Sequence, residues 1–179
     1  MSSIVNNFSI FHDFPKQFKQ NIKLFHVFED YIAYCVTNDD KVYGFGQHIN
    51  YFLNYNESND NKSYVLIEEL CDKRIEQFFG NKCMFFARSE TNVIYSWGPN
   101  EYGQLGRGFK SSEILKPDEA VLFNNVNIIQ ISGGWDKCFA LSSDGKVYRL
   151  GNTEFNLSSK ETLIELTQLC ESIKSIHCS

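Results

Sequence analysis

The residues of this sequence that could do chemistry are few and scattered. Gly103, Gly106 and Gly108 have a spacing that resembles a phosphate-binding loop. Such a loop needs a Lys-Ser/Thr pair after its last glycine, or a helix that begins there, and neither pattern follows Gly108. We therefore interpret these glycines as turn residues that allow close backbone packing.

The sequence also shows no pattern of residues typical of a metal site or a catalytic nucleophile. The 4 histidines and 6 cysteines show neither zinc-ligand nor redox spacing, and no Cys-His or carboxylate pair stands out. Most cysteines have apolar neighbours, which indicates buried thiols in a reducing compartment. We predict no catalytic residue, no metal site and no cofactor, so we expect a protein that is not an enzyme.

A pattern of about fifty residues recurs along the chain. The tyrosines of this pattern are 52 and 53 residues apart, and the glycines three positions later repeat both intervals. The repeated positions are Tyr43, Tyr95 and Tyr148, then Gly46, Gly98 and Gly151. Repetition at this period predicts an array of similar structural units.

Each unit alternates apolar and polar residues with a period of two, which indicates strands. In the third unit the predicted strands are residues 128–132, 138–141 and 146–150. The turn before the last of them ends at Asp40, Asn92 or Gly145 in the three units, and these residue types tolerate positive φ. A weaker fourth strand is predicted at residues 64–67, 120–123 and 163–165.

A helix is the rival interpretation for part of the third unit. Ser158 and Glu161 have the spacing of a capping box, which would begin a helix over residues 158–170. We favour the strand, because Leu163-Ile164-Glu165 mirrors Leu66-Ile67-Glu68 of the first unit.

Repeated sheets of this size predict an all-β fold, a partial β-propeller of about three blades with three to four antiparallel strands each. A short N-terminal helix over residues 16–22 follows Asp13-Phe14-Pro15. The predicted segments are a leader at 1–21, blades at 22–74, 75–127 and 128–172, and the start of a truncated fourth repeat at 173–179.

The strongest motif is residues 93–108, which read Val-Ile-Tyr-Ser-Trp-Gly-Pro-Asn-Glu-Tyr-Gly-Gln-Leu-Gly-Arg-Gly. It closely resembles the repeat signature of the regulator of chromosome condensation family. Ile128, Ile131 and Gly134 also match the opening strand of that repeat. The first unit keeps Gly46 and Leu53 but lacks the later glycines, and the third unit lacks them as well. Kelch propellers are the rival, but a Gly-Gly pair occurs only once in the chain.

The resemblance implies a propeller of about seven blades. The layout is also similar to the start of family members that carry a C-terminal BTB domain, although no BTB sequence is present. Three blades would leave two open faces, so we expect a fragment of a larger protein or a chain that another chain completes.

Trp135, Asp136 and Lys137 are the candidate partner-binding residues. They follow Gly134 in a predicted loop, and propeller loops line one face of the molecule. Trp is frequent at the energetic centre of interfaces. The other interpretation is that the Trp135 ring only covers the neighbouring blade, while Trp97 lies within a strand and is expected in the core.

The net charge and the hydropathy of the chain limit the classes of partner that we expect. The net charge of −5 argues against a surface that coats nucleic acid. No apolar run approaches the roughly 18 residues of a membrane span, and no signal sequence is visible, which predicts a cytoplasmic or nuclear protein. We expect a non-enzymatic interaction module with a protein partner. The alternatives are nucleotide exchange on a Ran-like small GTPase, or a cullin-type ligase adaptor if a BTB domain follows.

Overall fold

The computed structural model describes residues 14–28, 32–46, 49–55, 64–81, 83–152, 163–166 and 173–177. These residues form three four-stranded antiparallel sheets, each with its strands in chain order. The prediction of an all-β fold with three blades is confirmed. We call the sheets blade 1, blade 2 and blade 3.

The strands of the three blades have the following bounds. Blade 1 contains β1 (Ile22–Phe28), β2 (Ile32–Thr37), β3 (Val42–Gly46) and β4 (Tyr64–Leu66). Blade 2 contains β5 (Ile75–Gly80), β6 (Phe85–Ser89), β7 (Ile94–Asn100) and β8 (Ser111–Glu119). Blade 3 contains β9 (Ile128–Gly133), β10 (Lys137–Ser142), β11 (Val147–Gly151) and β12 (Ile164–Glu165).

Helical segments are few among the described residues. They are the helices α1 (Lys16–Asn21) and α2 (Ile49–Phe52) and two 3₁₀ turns, Glu68–Leu70 and Val121–Phe123. The first strands of neighbouring blades touch, β1 against β5 and β5 against β9. The sheets therefore radiate from a line of inner strands, as propeller blades do.

The tight turn between the second and third strands repeats in every blade. Asp40, Asn92 and Gly145 adopt φ values of 58°, 62° and 83°, as their residue types predict. A hydroxyl residue begins each turn, and its side chain bonds the main chain four residues later, as when Ser89 Oγ accepts from Val93 N at 3.1 Å. Thr37 Oγ1 likewise accepts from Lys41 N at 3.1 Å, and Ser142 Oγ donates to Lys146 O at 3.1 Å.

The predicted fourth strand of the second unit is wrong. Strand β8 ends at Glu119, and Ala120 N makes the last bond to β7, 2.8 Å from Ile94 O. The chain then makes a 3₁₀ turn, which carries Phe123 into the interface between blades 2 and 3, where it is 1% exposed. Burial of this ring outweighs the strand propensity of the segment.

Two other local predictions have mixed outcomes. Ile164 and Glu165 pair with β11, so the strand interpretation is confirmed there, and most of the rival helix lies outside the described residues. Helix α1 ends at Asn21, one residue earlier than predicted, because Ile22 already begins β1. The predicted capping residue Asp13 lies outside the described residues, and α2 was not predicted.

Apolar side chains lie mainly between the blades. One cluster joins blades 1 and 2 around Tyr34, Phe85 and Trp97, and a second joins blades 2 and 3 around Phe86 and Leu105. A third cluster covers the face of blade 1 that points away from blade 2, and it includes residues of the N-terminal segment. The expectation that this face stays open is wrong for the part of blade 1 on which Phe14 packs.

The boundaries at residues 22, 75, 128 and 173 stay a prediction. Residues 173–177 form no strand, although their main chain contacts blade 3. Ile173 N donates to Gly145 O at 3.3 Å, and in blade 1 Asp72 N donates to Asp40 O at 3.0 Å. Ile173 thus occupies a position equivalent to the linker after the 3₁₀ turn of blade 1.

Candidate partner-binding surface

Two loops present aromatic side chains at one end of the blades. Trp135 lies between β9 and β10, and Tyr102 lies between β7 and β8. Because strands alternate in direction, the loops after the first and third strands of each sheet reach the same end. Trp135 is 67% exposed and Tyr102 is 37% exposed. Trp97, in contrast, is fully buried.

Asn81 ties the Trp135 loop to blade 2. Its Oδ1 accepts from the main-chain N of Cys83 and of Met84, both at 3.0 Å. Its Nδ2 donates across the blade boundary to Gly133 O at 2.7 Å and Gly134 O at 3.1 Å. The amide thus makes four contacts with the main chain, which fix the position where the loop leaves β9.

Gln104 makes a second tie from blade 2. This side chain is 1% exposed and lies between the two aromatic loops. Its Oε1 accepts from Tyr102 N at 3.0 Å, while its Nε2 donates to Trp135 O at 3.3 Å. One amide therefore sets the distance between the main chains that carry the exposed rings.

Blade 3 supplies the third tie through Asn152. Its main-chain N donates to Asp136 O at 2.8 Å, and its Nδ2 donates to Asp136 Oδ2 at 2.9 Å. The close approach requires glycine at position 151, because a Cβ there would lie 2.2 Å from Asp136 O and φ is +93°. The carboxylate of Asp136 is thus used to fix the loop.

The Gly-Gln-Leu-Gly motif fills the space between blades 2 and 3. Leu105 is fully buried in the second cluster, and Asn100 Oδ1 accepts from Leu105 N at 3.0 Å. Gly106 passes so close to Phe123 and Leu150 that a Cβ would lie 3.1 and 3.2 Å from their side chains. These contacts explain the motif as a structural element.

Arg107 closes a gap in the sheet of blade 2. The pairing of β7 with β8 shifts register between Ser96 and Gly98. The Arg107 Nη1 donates to Ser96 O at 2.9 Å and to the carbonyls of Lys116 and Asp118, both at 3.2 Å. Its side chain is 8% exposed, and the contact to Ser96 O replaces a bond that the shifted ladder leaves unmade at a buried residue.

A charged cleft of about 650 Å³ lies at the opposite end, between blades 1 and 2. Its charged groups already form ion pairs, as Lys23 Nζ does with Asp40 Oδ1 at 2.8 Å. Arg74 pairs with Glu90 in the same cleft. The described residues contain no group of three metal-ligating side chains and no helix long and apolar enough to span a membrane.

The structure places two of the three predicted partner-binding residues in the loop between β9 and β10, with Trp135 exposed and Asp136 bonded to Asn152, and Lys137 at the first position of β10. Sequence reasoning missed Asn81, Gln104 and Tyr102. Gln104 lies within the motif of residues 93–108, so the motif could have marked it as a residue to examine. Asn81 offered only its position, since Gly134 occupies the corresponding place one unit later.

Comparison with known proteins agrees with this geometry. Residues 92–141 match the family "Regulator of chromosome condensation (RCC1) repeat". The chain is 40% identical over 67 residues to the ultraviolet-B receptor UVR8 of Arabidopsis thaliana, covering 37% of this chain and 15% of that protein. It is 30% identical over 125 residues to the E3 ubiquitin-protein ligase HERC2 of Homo sapiens, covering 69% of this chain but 3% of that protein.

A solved structure shows the same fold. The crystal structure of Prp20p from Saccharomyces cerevisiae superposes with a TM-score of 0.68 at 18% identity, over 88% of this chain and 41% of that one. The chain thus spans only a small part of the relatives it matches. Residues 92–141 are an RCC1 repeat, and the three blades have the fold of RCC1 propellers.

Proposed function

We propose that this chain of RCC1 repeats is a non-enzymatic protein-interaction module and that its partner contacts Trp135, Asp136 and Lys137, which lie between β9 and the start of β10. One observation carries the proposal. The Trp135 ring is 67% exposed, although the loop that bears it is held by Asn81, Gln104 and Asn152.

An exposed tryptophan on a fixed loop has the properties of an interface anchor. A large ring buries much apolar area when a partner covers it. Because the main chain is already fixed, binding costs little additional ordering of the loop. Tyr102, held to the same loop through Gln104, extends the surface onto blade 2.

The first partners to test come from the similar fold. Prp20p of Saccharomyces cerevisiae has binding properties to Gsp1p and histones, and both can be prepared as purified probes. A small GTPase remains the partner class of the alternative function, nucleotide exchange. An adaptor role in a cullin-type ligase stays a prediction that depends on a BTB domain.

The test compares Trp135→Ala with a matched surface aromatic, Tyr51→Ala, whose side chain is 61% exposed. Binding to Gsp1p and to histones is measured by calorimetry. We expect Trp135→Ala to weaken binding about 30-fold or more, which corresponds to a loss of about 2 kcal/mol. Tyr51→Ala should bind as the wild type does.

A photo-crosslinking amino acid at position 135 identifies a partner in cells if neither probe binds. That partner is then purified and measured against the same two variants. Equal affinity for wild type and Trp135→Ala would contradict the proposed surface. Clear acceleration of nucleotide release from a GTPase would favour exchange activity over a purely binding role.

A further inference from the structure

The outward face of blade 1, the side away from blade 2, is covered by the N-terminal segment. The centroid of the Phe14 ring lies 5.0 Å from that of Phe45, which it meets edge to face, and 5.2 Å from that of Tyr64. Phe18 lies 5.3 Å from Tyr43, also edge to face. Phe14 itself is only 7% exposed. Helix α1 and the residues before it therefore seal this part of the sheet.

The positions under this segment are those that bind a neighbouring blade elsewhere. Phe45 precedes Trp97 by one repeat, and Tyr43 precedes Tyr95 in the same way. On blade 2, Tyr95 and Trp97 belong to the cluster shared with blade 1. On blade 3, Tyr148 and Leu150 belong to the cluster shared with blade 2. The N-terminal segment thus takes the place of a blade.

The cover is less complete near the inner strand. Phe25 pairs with Cys35 on β2, as Phe78 pairs with Ala87 on β6, so Phe25 and Phe78 hold equivalent positions. Phe78 is 3% exposed, because blade 1 covers it. Phe25, which packs against the third cluster, is only partly buried.

Helix α1 is short, and its C-terminal end is hydrogen-bonded to blade 1. It is six residues long, and its N-cap Pro15 makes no side-chain cap. A helix of this length is not stable alone, so its order depends on the phenylalanine contacts. At the other end, Asn38 N donates to Asn21 O at 2.8 Å and Asn21 Nδ2 donates to Asp39 Oδ1 at 2.9 Å. Asn21 is therefore the natural pivot.

We propose that residues 14–21 are an end cap that opens about Asn21 independently of the blades. When it opens, it uncovers a face built to bind a propeller blade, and a second copy of the chain binds there. The cap thereby keeps separate copies apart. This inference does not depend on the Trp135 surface, which lies on other blades.

Two buried cysteines provide the test. Cys35 lies on β2 in the cluster under the cap, and Cys138 lies on β10 between blades 2 and 3. Both side chains are fully buried. Thiol labelling followed by peptide mass spectrometry measures their rates separately in the wild type. We expect Cys35 to label about tenfold faster or more, because local opening costs less than global unfolding.

Phe14→Ser should speed the labelling of Cys35 a further tenfold or so and leave Cys138 unchanged, since only the local equilibrium shifts. Gln17→Ser, an exposed position of the same helix, is the matched control and should label as the wild type does. Equal rates for Cys35 and Cys138 in the wild type would show that no independent opening exists and would overturn the proposal.

Light scattering after size-exclusion chromatography tests the second step. Phe14→Ser should self-associate in a concentration-dependent manner, and Gln17→Ser should not. If Phe14→Ser labels rapidly at Cys35 yet has the same mass as the wild type at every concentration, the uncovered face does not bind a second copy.

Discussion

The indole Nε1 of Trp97 donates a hydrogen bond to the phenol oxygen of Tyr34 at 3.0 Å. The two side chains belong to different blades, and neither is exposed to solvent. Their rings meet edge to face at 5.2 Å. A single polar contact thus lies within an apolar interface, where it can be satisfied in one relative position of the blades.

Removing the acceptor should destabilise the chain. In Tyr34→Phe the indole N–H stays buried without a partner, which costs about 1–3 kcal/mol of unfolding free energy. Urea denaturation measures the loss, and Tyr51→Phe on the surface is the control. Adding Trp97→Phe to Tyr34→Phe should cost less than the sum of the single changes, because the unpaired donor is then gone. Strict additivity would show that the two groups are not coupled.

Stability should fall in alkaline solution, in part through the same tyrosine. Burial raises the pKa of Tyr34 above its ordinary value of 10.0. The native state therefore keeps the phenol proton at pH values where the unfolded chain has lost it, so this contribution is complete below pH 10.0 and declines above it. The decline has a limiting slope of about 1.4 kcal/mol per pH unit.

The measurement is urea denaturation between about pH 9 and 11, which brackets the ordinary titration of tyrosine. Burial also raises the pKa of Tyr55 and Cys35, so the wild type alone does not isolate Tyr34. The difference between wild type and Tyr34→Phe does. It should shrink as pH rises, and a constant difference would contradict the assignment.

The sequence predicted the repeated sheets of the fold, but it did not predict the contacts between distant parts of the chain. The period of the Tyr and Gly positions predicted three sheets, because a repeated apolar pattern reports a repeated environment. Phe123 misled the prediction, since one apolar residue in a short segment fits a strand and a turn equally. The target of Phe14 and the reach of Asn81 to Gly133 are tertiary contacts, and local pattern carries no information on them.

Replacing Arg107 by lysine should destabilise the protein. Its guanidinium serves three carbonyls at once, which a lysine ammonium on a flexible stem cannot reproduce. We expect Arg107→Lys to lose about 1–3 kcal/mol of unfolding free energy. Asp118→Asn removes only the ion pair to a carboxylate that is 72% exposed, and it should cost less than about 1 kcal/mol. Equal losses would mean that the ion pair, and not the carbonyls, is what Arg107 provides.

Asn81 should be sensitive to the kind of change as well as its size. Asn81→Ala removes all four contacts and should loosen the Trp135 loop, seen as faster amide exchange at residues 133–136. Asn81→Asp keeps the acceptor for Cys83 and Met84 but points a carboxylate oxygen at two carbonyls. We expect Asp to be at least as destabilising as Ala in urea, because the repulsion replaces two bonds. A milder effect of Asp would show that the contacts to Gly133 and Gly134 contribute little.

The leucine between blades has a wider consequence. Leu53 follows Gly46 by seven residues, and Leu105 follows Gly98 by the same distance. Both are fully buried between blades, although a short helix precedes the first and a glycine-rich loop the second. Two different backbone conformations therefore bring a leucine to the same buried position between blades. Segments between these two positions should therefore be interchangeable between the first and second units, which share the glycine-to-leucine interval and not the glycines of the loop.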